Sequence, residues 1–313
     1  MKTAVQAQGL WKTYKTGFWR RRLQPVLREL HLEIPHGSIF GILGPNGAGK
    51  TTLISILATL LLPDAGSVRV LGLDVRKQAT HLRRRINLAS GAAKFVWSLT
   101  VEENLRFYGR LYGLWGKKLS QRVQELVNLF ELEPWRRSPF ETLSSGLKQR
   151  LALAKSLISQ PELLFLDEPT NGLDPLAAQN IREEIGRLNR QTGMTIILTT
   201  HNMREAEELC HEIAFLGEGQ ILAQGDIPSL QTRLALGDRV TLTFATHLPP
   251  LDFQSLPGVL HWRWQSPALE LLLDRSHHRL PVICREIHAV GGELQGIKVQ
   301  EVDLEDLYRE FSH

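Results

Sequence analysis

Apolar and polar positions change period several times along the chain, and each change predicts an element. Residues 4–14 alternate loosely, and residues 27–34 alternate apolar with polar, which reads as two strands. A short apolar run at 39–43 reads as a buried strand, and a helix is expected over about 49–61, stopped by the Pro63 to Gly66 turn. A strand at 67–71, a helix at 77–85 and a strand at 86–89 follow, then a loop over 90–98. From Thr100 to about Phe130 the apolar spacing is helical, with Glu103 three residues after Thr100 as a capping box requires. Further on, helices at 143–159, 176–190 and 203–209 alternate with apolar runs at 162–167, 194–199 and 213–216. Alternation of this kind predicts an α/β fold with a mostly parallel sheet covered on both faces. The block over about 98–158 interrupts the alternation and is expected to form a helical subdomain.

After residue 225 the texture changes. A short helix at 228–236 leads to strand patterns at 239–244, 259–264, 269–273 and 293–299, with helices at 280–290 and 303–311. The expected division is a large domain over 1–237 and a small α+β domain over 238–313. A chain of 313 residues is long enough for both.

Composition changes little in this picture. The net charge is +4 with a pI of about 9.1, a mild basic bias. Cys210 and Cys284 stand far apart, so neither a disulfide framework nor a zinc site is implied. The first residues lack an apolar signal core, and no apolar run approaches the ~18 residues of a membrane span. The chain is expected not to cross a bilayer by itself.

The strongest chemical signal is Gly44, Pro45, Asn46, Gly47, Ala48, Gly49, Lys50, Thr51 and Thr52, between an apolar strand and an apolar helix. Every fixed position of G-x-x-x-x-G-K-[ST] is filled, in the required strand–loop–helix context. The glycines let several backbone N–H groups point into one concavity and hold phosphate oxygens, helped by the positive end of the following helix. Lys50 places a mobile charge on the β- and γ-phosphates, and the Thr51 hydroxyl is placed to ligate Mg²⁺. A second signal is the apolar strand that ends in Asp167 and Glu168. Asp167 can hold the Mg²⁺ shell opposite Thr51, and Glu168 can orient or deprotonate an attacking water.

These residues, together with Leu143-Ser144-Ser145-Gly146, Asp174 and His201, come in an order and approximate spacing that resembles the nucleotide-binding subunit of ABC transporters over residues 4–235. Glu168-Pro-Thr-Asn-Gly-Leu-Asp-Pro175, followed by an extra C-terminal domain, resembles the drug-, polysaccharide- and lipid-exporting branch. The resemblance implies a P-loop NTPase with a RecA-like core sheet, an N-terminal antiparallel β-subdomain and a helical signature subdomain. It implies ATP and Mg²⁺ as ligands. It also implies that Tyr14 stacks on adenine, that Ser144 and Gly146 cap the γ-phosphate bound to another subunit with Ser145 between them among the nucleotide-binding positions, that Asp174 links the two halves, and that Glu168 and His201 are catalytic. By themselves, Tyr14 also reads as a packing aromatic and His201 as a plain strand-end histidine.

Two departures stand out. The family usually reads LSGGQ where this chain has Leu143-Ser-Ser-Gly-Leu147. The family also has a glutamine after the strand at 86–89, where this chain has Ser90, Gly91, Ala92 and Ala93. Reduced but real ATPase activity is the expectation. The implied partners are a second ATPase subunit, identical or a sibling, and integral-membrane permease subunits; no nucleic acid is expected. The implied location is the cytoplasmic face of the cell membrane, held there through the permease. Phe95 and Trp97 are candidates for the groove that receives a permease helix, or for loop packing. Trp19 to Arg22 is a basic loop that either touches lipid or is simply solvated. The C-terminal domain reads as regulatory, dimer-stabilising or a plain cap. Other functions that remain compatible are a soluble ABC-type ATPase acting on ribosomes or DNA, and a catalytically weak nucleotide-binding regulator.

Overall fold

The computed structural model describes residues 2–16, 22–90, 95–234, 237–245, 251–274, 276–300 and 304–311. Its packing divides into two units, Met1–Gly225 and Asp226–His313.

The first unit begins with two long strands, β1 (Thr3–Thr16) and β2 (Arg22–Pro35), then β3 (Ile39–Leu43) and α1 (Lys50–Leu57). It continues through β4 (Ala65–Val70), β5 (Leu73–Asp74), α2 (Ala79–Leu82), β6 (Ile86–Ser90), α3 (Val101–Leu111), α4 (Gly116–Leu129) and α5 (Ser145–Ser156). Then come β7 (Leu163–Asp167), α6 (Pro175–Thr192), β8 (Thr195–Thr200), α7 (Met203–Leu209), β9 (Glu212–Gly217) and β10 (Gln220–Gly225).

Two sheets result. An antiparallel one runs β2-β1-β4-β5, and a six-stranded one runs β10-β9-β3-β8-β7-β6. In the second, β9, β3, β8, β7 and β6 are parallel and β10 returns antiparallel as a hairpin arm. The side-chain period of two sends alternate residues to opposite faces. Ile39, Leu164, Leu166, Ile196 and Leu198 pack with the helical elements α3 to α6 in one buried cluster. Phe40, Ile42, Leu163, Phe165 and Ile197 pack with α1 and the antiparallel sheet in a second. The core of the helical block is thus continuous with one face of the parallel sheet. Its first helix starts on the expected capping box: Thr100 Oγ1 accepts from Glu103 N at 3.2 Å and Thr100 N donates to Glu103 Oε2 at 2.8 Å.

Several expectations are corrected. The first helix ends at Leu57 rather than 61, because Thr59 takes a left-handed φ of 63° that breaks the α ladder. The helix expected over 77–85 shrinks to one turn, Ala79–Leu82. Strands β5 and β10 were not expected. Both are short hairpin arms whose side chains, Ala223 apart, are half-buried or exposed, so no apolar alternation marks them.

The second unit contains α8 (Ile227–Leu234), β11 (Asp238–Phe244), β12 (Val259–Gln265), β13 (Ala268–Leu273), α9 (Ser276–Ala289), β14 (Leu294–Gln300) and α10 (Leu304–Phe311). Its antiparallel sheet runs β12-β13-β11-β14. One face, with Val240, Leu242, Leu269 and Leu271, packs on Ile283 and Ile287 of α9. Helix α8 packs against α10, which is why it clusters with this unit rather than with the chain before it.

Candidate functional site

The parallel register builds the site. Leu43 lies beside Thr200, and Asp167 beside Thr199, so β3, β8 and β7 end together at one edge of the sheet. Ligands of parallel α/β sheets gather at this carboxyl edge. The loop from Gly44 to Gly49 leaves β3 there. A Cβ on Gly44 would run into the Leu216 carbonyl oxygen of β9, and Gly49, at φ 108°, caps α1 in a conformation that side chains rarely adopt. Helix α1 has no side-chain cap and no acid in its first turn, which leaves its N-terminal N–H groups available to an anion.

Lys50 is buried, and its ammonium donates to the Gly44 carbonyl at 2.6 Å and the Pro45 carbonyl at 3.1 Å. It stands 3.9 Å from Glu168 Oε1. Burial pulls its pKa below the ordinary lysine value, and the Glu168 and Asp167 carboxylates oppose that shift. Thr51 Oγ1 donates to Asp167 Oδ2 at 3.4 Å, and the other carboxylate oxygen accepts from Thr199 Oγ1 at 2.6 Å. Glu168 sits at φ 49°, a left-handed backbone costing on the order of 1 kcal/mol. Its amide donates to the Thr199 carbonyl at 3.0 Å and lies 3.2 Å from the Thr199 hydroxyl. Its carboxylate accepts from Asn171 Nδ2 at 2.7 Å and lies 3.2 Å from His201 Nδ1.

Tyr14 projects from β1 with its hydroxyl 3.4 Å from Thr52 Oγ1, its ring partly exposed beside the start of α1. The structure thus brings Tyr14, Lys50, Thr51, Thr52, Asp167, Glu168 and His201 together. Ser144 and Asp174 stand elsewhere. Each is a helix N-cap: Ser144 Oγ accepts from Leu147 N at 3.3 Å at the head of α5, and Asp174 Oδ1 from Ala177 N at 2.9 Å at the head of α6. The two helix heads touch, since a Cβ on Gly146 would lie 3.2 Å from Ala177 Cβ. Ser144, Ser145 and Asp174 are exposed, and among the described residues no hydrogen bond or ion pair joins residues 144–146 to the loop at 44–52.

The loop residues 91–94 and the basic residues 17–21 lie outside the described residues. Phe95 and Trp97 part company. Phe95 is buried and stacks on Phe140 at 4.6 Å between ring centroids, whereas Trp97 is exposed.

Three residues escaped the sequence analysis. Thr199 is wholly buried and serves both carboxylate positions; its signal was a hydroxyl at the end of an otherwise apolar strand. Asn171 steadies Glu168, a spacing of three that a turn makes possible. Glu205, also buried, accepts from Thr170 Oγ1 at 2.7 Å and so fastens the segment after Glu168 to the helix after His201. Burial pushes its carboxyl above the ordinary range, against its hydrogen bonds to Thr200 and Thr170. Nothing in the sequence distinguished it from the polar positions of α7.

A glycine-rich anion cradle, a lysine and two carboxylates at the carboxyl edge of a parallel sheet define a P-loop nucleotide-binding protein. The ABC transporter family model matches residues 27–171. The linearmycin resistance ATP-binding protein LnrL of Bacillus subtilis is 32% identical over 97% of this chain and 96% of its own. The Nod factor export ATP-binding protein I of Ralstonia nicotianae is 38% identical over 79% of this chain and 74% of its own. Among solved structures, a dimeric ATP-binding cassette in a post-hydrolysis state with ADP and Pi superposes with a TM-score of 0.64 at 26% identity. It covers 71% of this chain and 98% of that one. The chain belongs to the ABC transporter family and is one of its ATP-hydrolysing cassettes.

Proposed function

We propose that this chain powers export of a substrate selected by a separate integral-membrane permease, working at the cytoplasmic face of the cell membrane as one of a pair of cassettes. The name of the Nod factor export relative supports the export direction, and a dimeric neighbour supports the pairing. Among the described residues no helix is long and apolar enough to span a membrane, which is consistent with a permease on other chains.

One observation carries the mechanism: the residues for phosphate chemistry converge at one sheet edge, while the signature residues stand on an exposed pair of helix heads away from it. Each chain then presents two half-sites. The loop at Gly44–Thr52 holds the triphosphate, and Tyr14 offers a ring face to the base. Ser144, Ser145 and Gly146 of a second copy complete the γ-phosphate shell through hydroxyl and helix N–H groups, with Asp174 beside them at the head of α6. Lys50 leaves its two carbonyls for the phosphates. Glu168, held by Asn171, aligns the water, and His201 contacts the γ-phosphate.

Thr51 and Asp167 fit a magnesium ion: both offer oxygens, and no group of three or more His, Cys, Asp or Glu side chains among the described residues competes for another metal. Thr51 and Asp167 would hold the ion through two oxygens and leave its other positions to phosphate and water, and the chemistry it would supply is neutralisation of charge on the phosphates. The sequence offers no glutamine between residues 86 and 98, so turnover slower than in relatives with that glutamine is expected.

The test is to purify the chain from membranes with its permease and compare phosphate release from MgATP with that of Glu168→Gln. Equal rates, or recovery without any membrane protein, would overturn this function.

A further inference from the structure

The turn between α3 and α4 carries a surface that the ATPase chemistry does not use. Residues 104–124 contain no Asp or Glu but five cations, Arg106, Arg110, Lys117, Lys118 and Arg122, in a chain whose basic and acidic residues number 37 and 33. Arg106 and Arg122 are engaged by Glu102 and Glu125. Among the described residues, Arg110, Lys117 and Lys118 take part in no ion pair. Beside them stand large apolar side chains that a water-facing turn would normally lack. Leu111 is 67% exposed, Trp115 65%, Tyr112 45% and Phe107 41%. The Arg110 guanidinium lies over the Trp115 ring at 5.9 Å. A groove of about 470 Å³ opens there, lined by Arg106, Arg110, Trp115, Lys117, Ser120 and Gln121.

Each property alone is ordinary; their coincidence is not. Contiguous exposed apolar side chains mark contact surfaces. Trp and Tyr with wet polar tips suit the boundary between hydrocarbon and headgroups. Unpaired Lys and Arg without neighbouring acids are attracted by an anionic leaflet. A permease surface would equally welcome the aromatics, but it would not call for a stretch cleared of acids.

We propose that the α3–α4 turn docks on an anionic lipid surface, with Trp115 and Leu111 entering the headgroup layer and Arg110, Lys117 and Lys118 meeting lipid phosphates. The inference needs neither ATP hydrolysis nor a permease, so it can fail while the proposed function stands, and the reverse.

The purified full chain, free of permease and nucleotide, is sedimented with vesicles of phosphatidylcholine alone and with vesicles containing about one third phosphatidylglycerol. Binding to the anionic vesicles only, fading as salt rises, is expected. Lys117→Gln with Lys118→Gln should weaken it about thirtyfold, and Trp115→Ala on the order of tenfold. Unchanged thermal melting checks the fold of each variant. Lys77→Gln removes an exposed cation elsewhere and should leave binding within about twofold. The proposal is overturned if the wild type ignores anionic vesicles, if the double variant binds as well as the wild type, or if Lys77→Gln weakens binding as much as the double variant. Loss of permease co-purification in the tip variants, without vesicle binding by the wild type, would instead make the turn a protein interface and also overturn it.

Discussion

Two regions of the first unit, the sheet edge and the heads of α5 and α6, are built on opposite plans. At the sheet edge, each ionic side chain already has a partner. Lys50 is folded onto the Gly44 and Pro45 carbonyls, Asp167 is held by Thr199 and Thr51, and Glu168 is held by Asn171 beside His201. At the heads of α5 and α6, the side chains of Ser144 and Asp174 cap their own helices and make no other hydrogen bond or ion pair among the described residues, and both residues are exposed. The first region is organised before nucleotide arrives, whereas the second stands exposed, its side chains engaged with their own helix N-termini. A buried, interlocked arrangement can be preorganised inside one subunit. A pair of exposed helix heads gains its purpose when something anionic is brought to it. That asymmetry is the ground for proposing two half-sites on one chain.

The largest expected effect breaks the first region. Glu168→Gln should lower kcat by about 10²–10⁴ while nucleotide affinity is kept, with phosphate release and equilibrium nucleotide binding as the two measurements. A matching loss of affinity would mean that Glu168 serves the fold rather than the water.

Breaking the second region should cost nearly as much by a different route. Gly146→Asp puts a carboxylate at the head of α5, crowded against Ala177. Hydrolysis should fall about 10²–10³-fold, with nucleotide binding to the isolated chain unchanged. The sharper form mixes Gly146→Asp with Lys50→Ala chains. Each mixed pair then contains one intact loop facing one intact signature, and part of the activity absent from either variant alone should return. Failure of the mixture to recover would show that the two regions do not meet across subunits.

Legibility in the sequence divided along the same line. The sheet edge could be read because its parts sit at strand ends with fixed offsets. A glycine-rich loop after Leu43, a carboxylate pair after Leu166 and a histidine after Thr200 are all local signals, and the parallel register brings them together. Ser144 and Asp174 were found only through resemblance, since an N-cap serine or aspartate heads countless helices. The residues that steady the site were missed for a physical reason. Thr199, Asn171 and Glu205 act by contacts between segments about 3, 32 or 35 positions apart, and periodicity carries no information about such pairs. The same limit hid β5 and β10, whose strand character comes from pairing and not from an apolar face.

The anchoring of the signature side is tested by pH. Arg150 of α5 reaches the buried Glu184 of α6 at 2.9 Å, and it also meets the exposed Glu131 at 3.3 Å. Burial pushes the Glu184 carboxyl up to about 7, with Arg150 and Arg187 pulling the other way. In the unfolded chain the group titrates near its ordinary value of 4.5. Between those values the folded protein holds a proton that the unfolded chain has released. The contribution to stability is therefore complete below about pH 4.5, declines up to about pH 7 and is flat above it, a swing on the order of 3 kcal/mol. Denaturant unfolding at pH 5 and pH 8 should show the wild type losing stability relative to Glu184→Gln. Parallel losses in the two proteins would place the titrating group elsewhere.

The smallest effect tests how the organised region is held. Thr199 is not at a phosphate-facing position; its hydroxyl is spent on Asp167 Oδ1 at 2.6 Å. Thr199→Val keeps the shape and removes the donor, leaving one oxygen of a carboxylate without its internal partner, a cost of about 1–3 kcal/mol to the fold. If the hydroxyl also aims the carboxylate, the apparent affinity for Mg²⁺ in nucleotide binding should weaken by on the order of tenfold, and kcat should fall with little change in KM for the nucleotide. Thr199→Ser restores the hydroxyl without the methyl and should recover Mg²⁺ affinity while leaving a small packing deficit. A purely structural threonine predicts the reverse pattern: stability and activity would fall together, Mg²⁺ affinity would stay put, and serine would rescue no more than valine does. The sheet edge is organised by its neighbours rather than by its ligands only if the first pattern is observed, because a single hydroxyl on the adjacent strand then sets where Asp167 points before any nucleotide arrives.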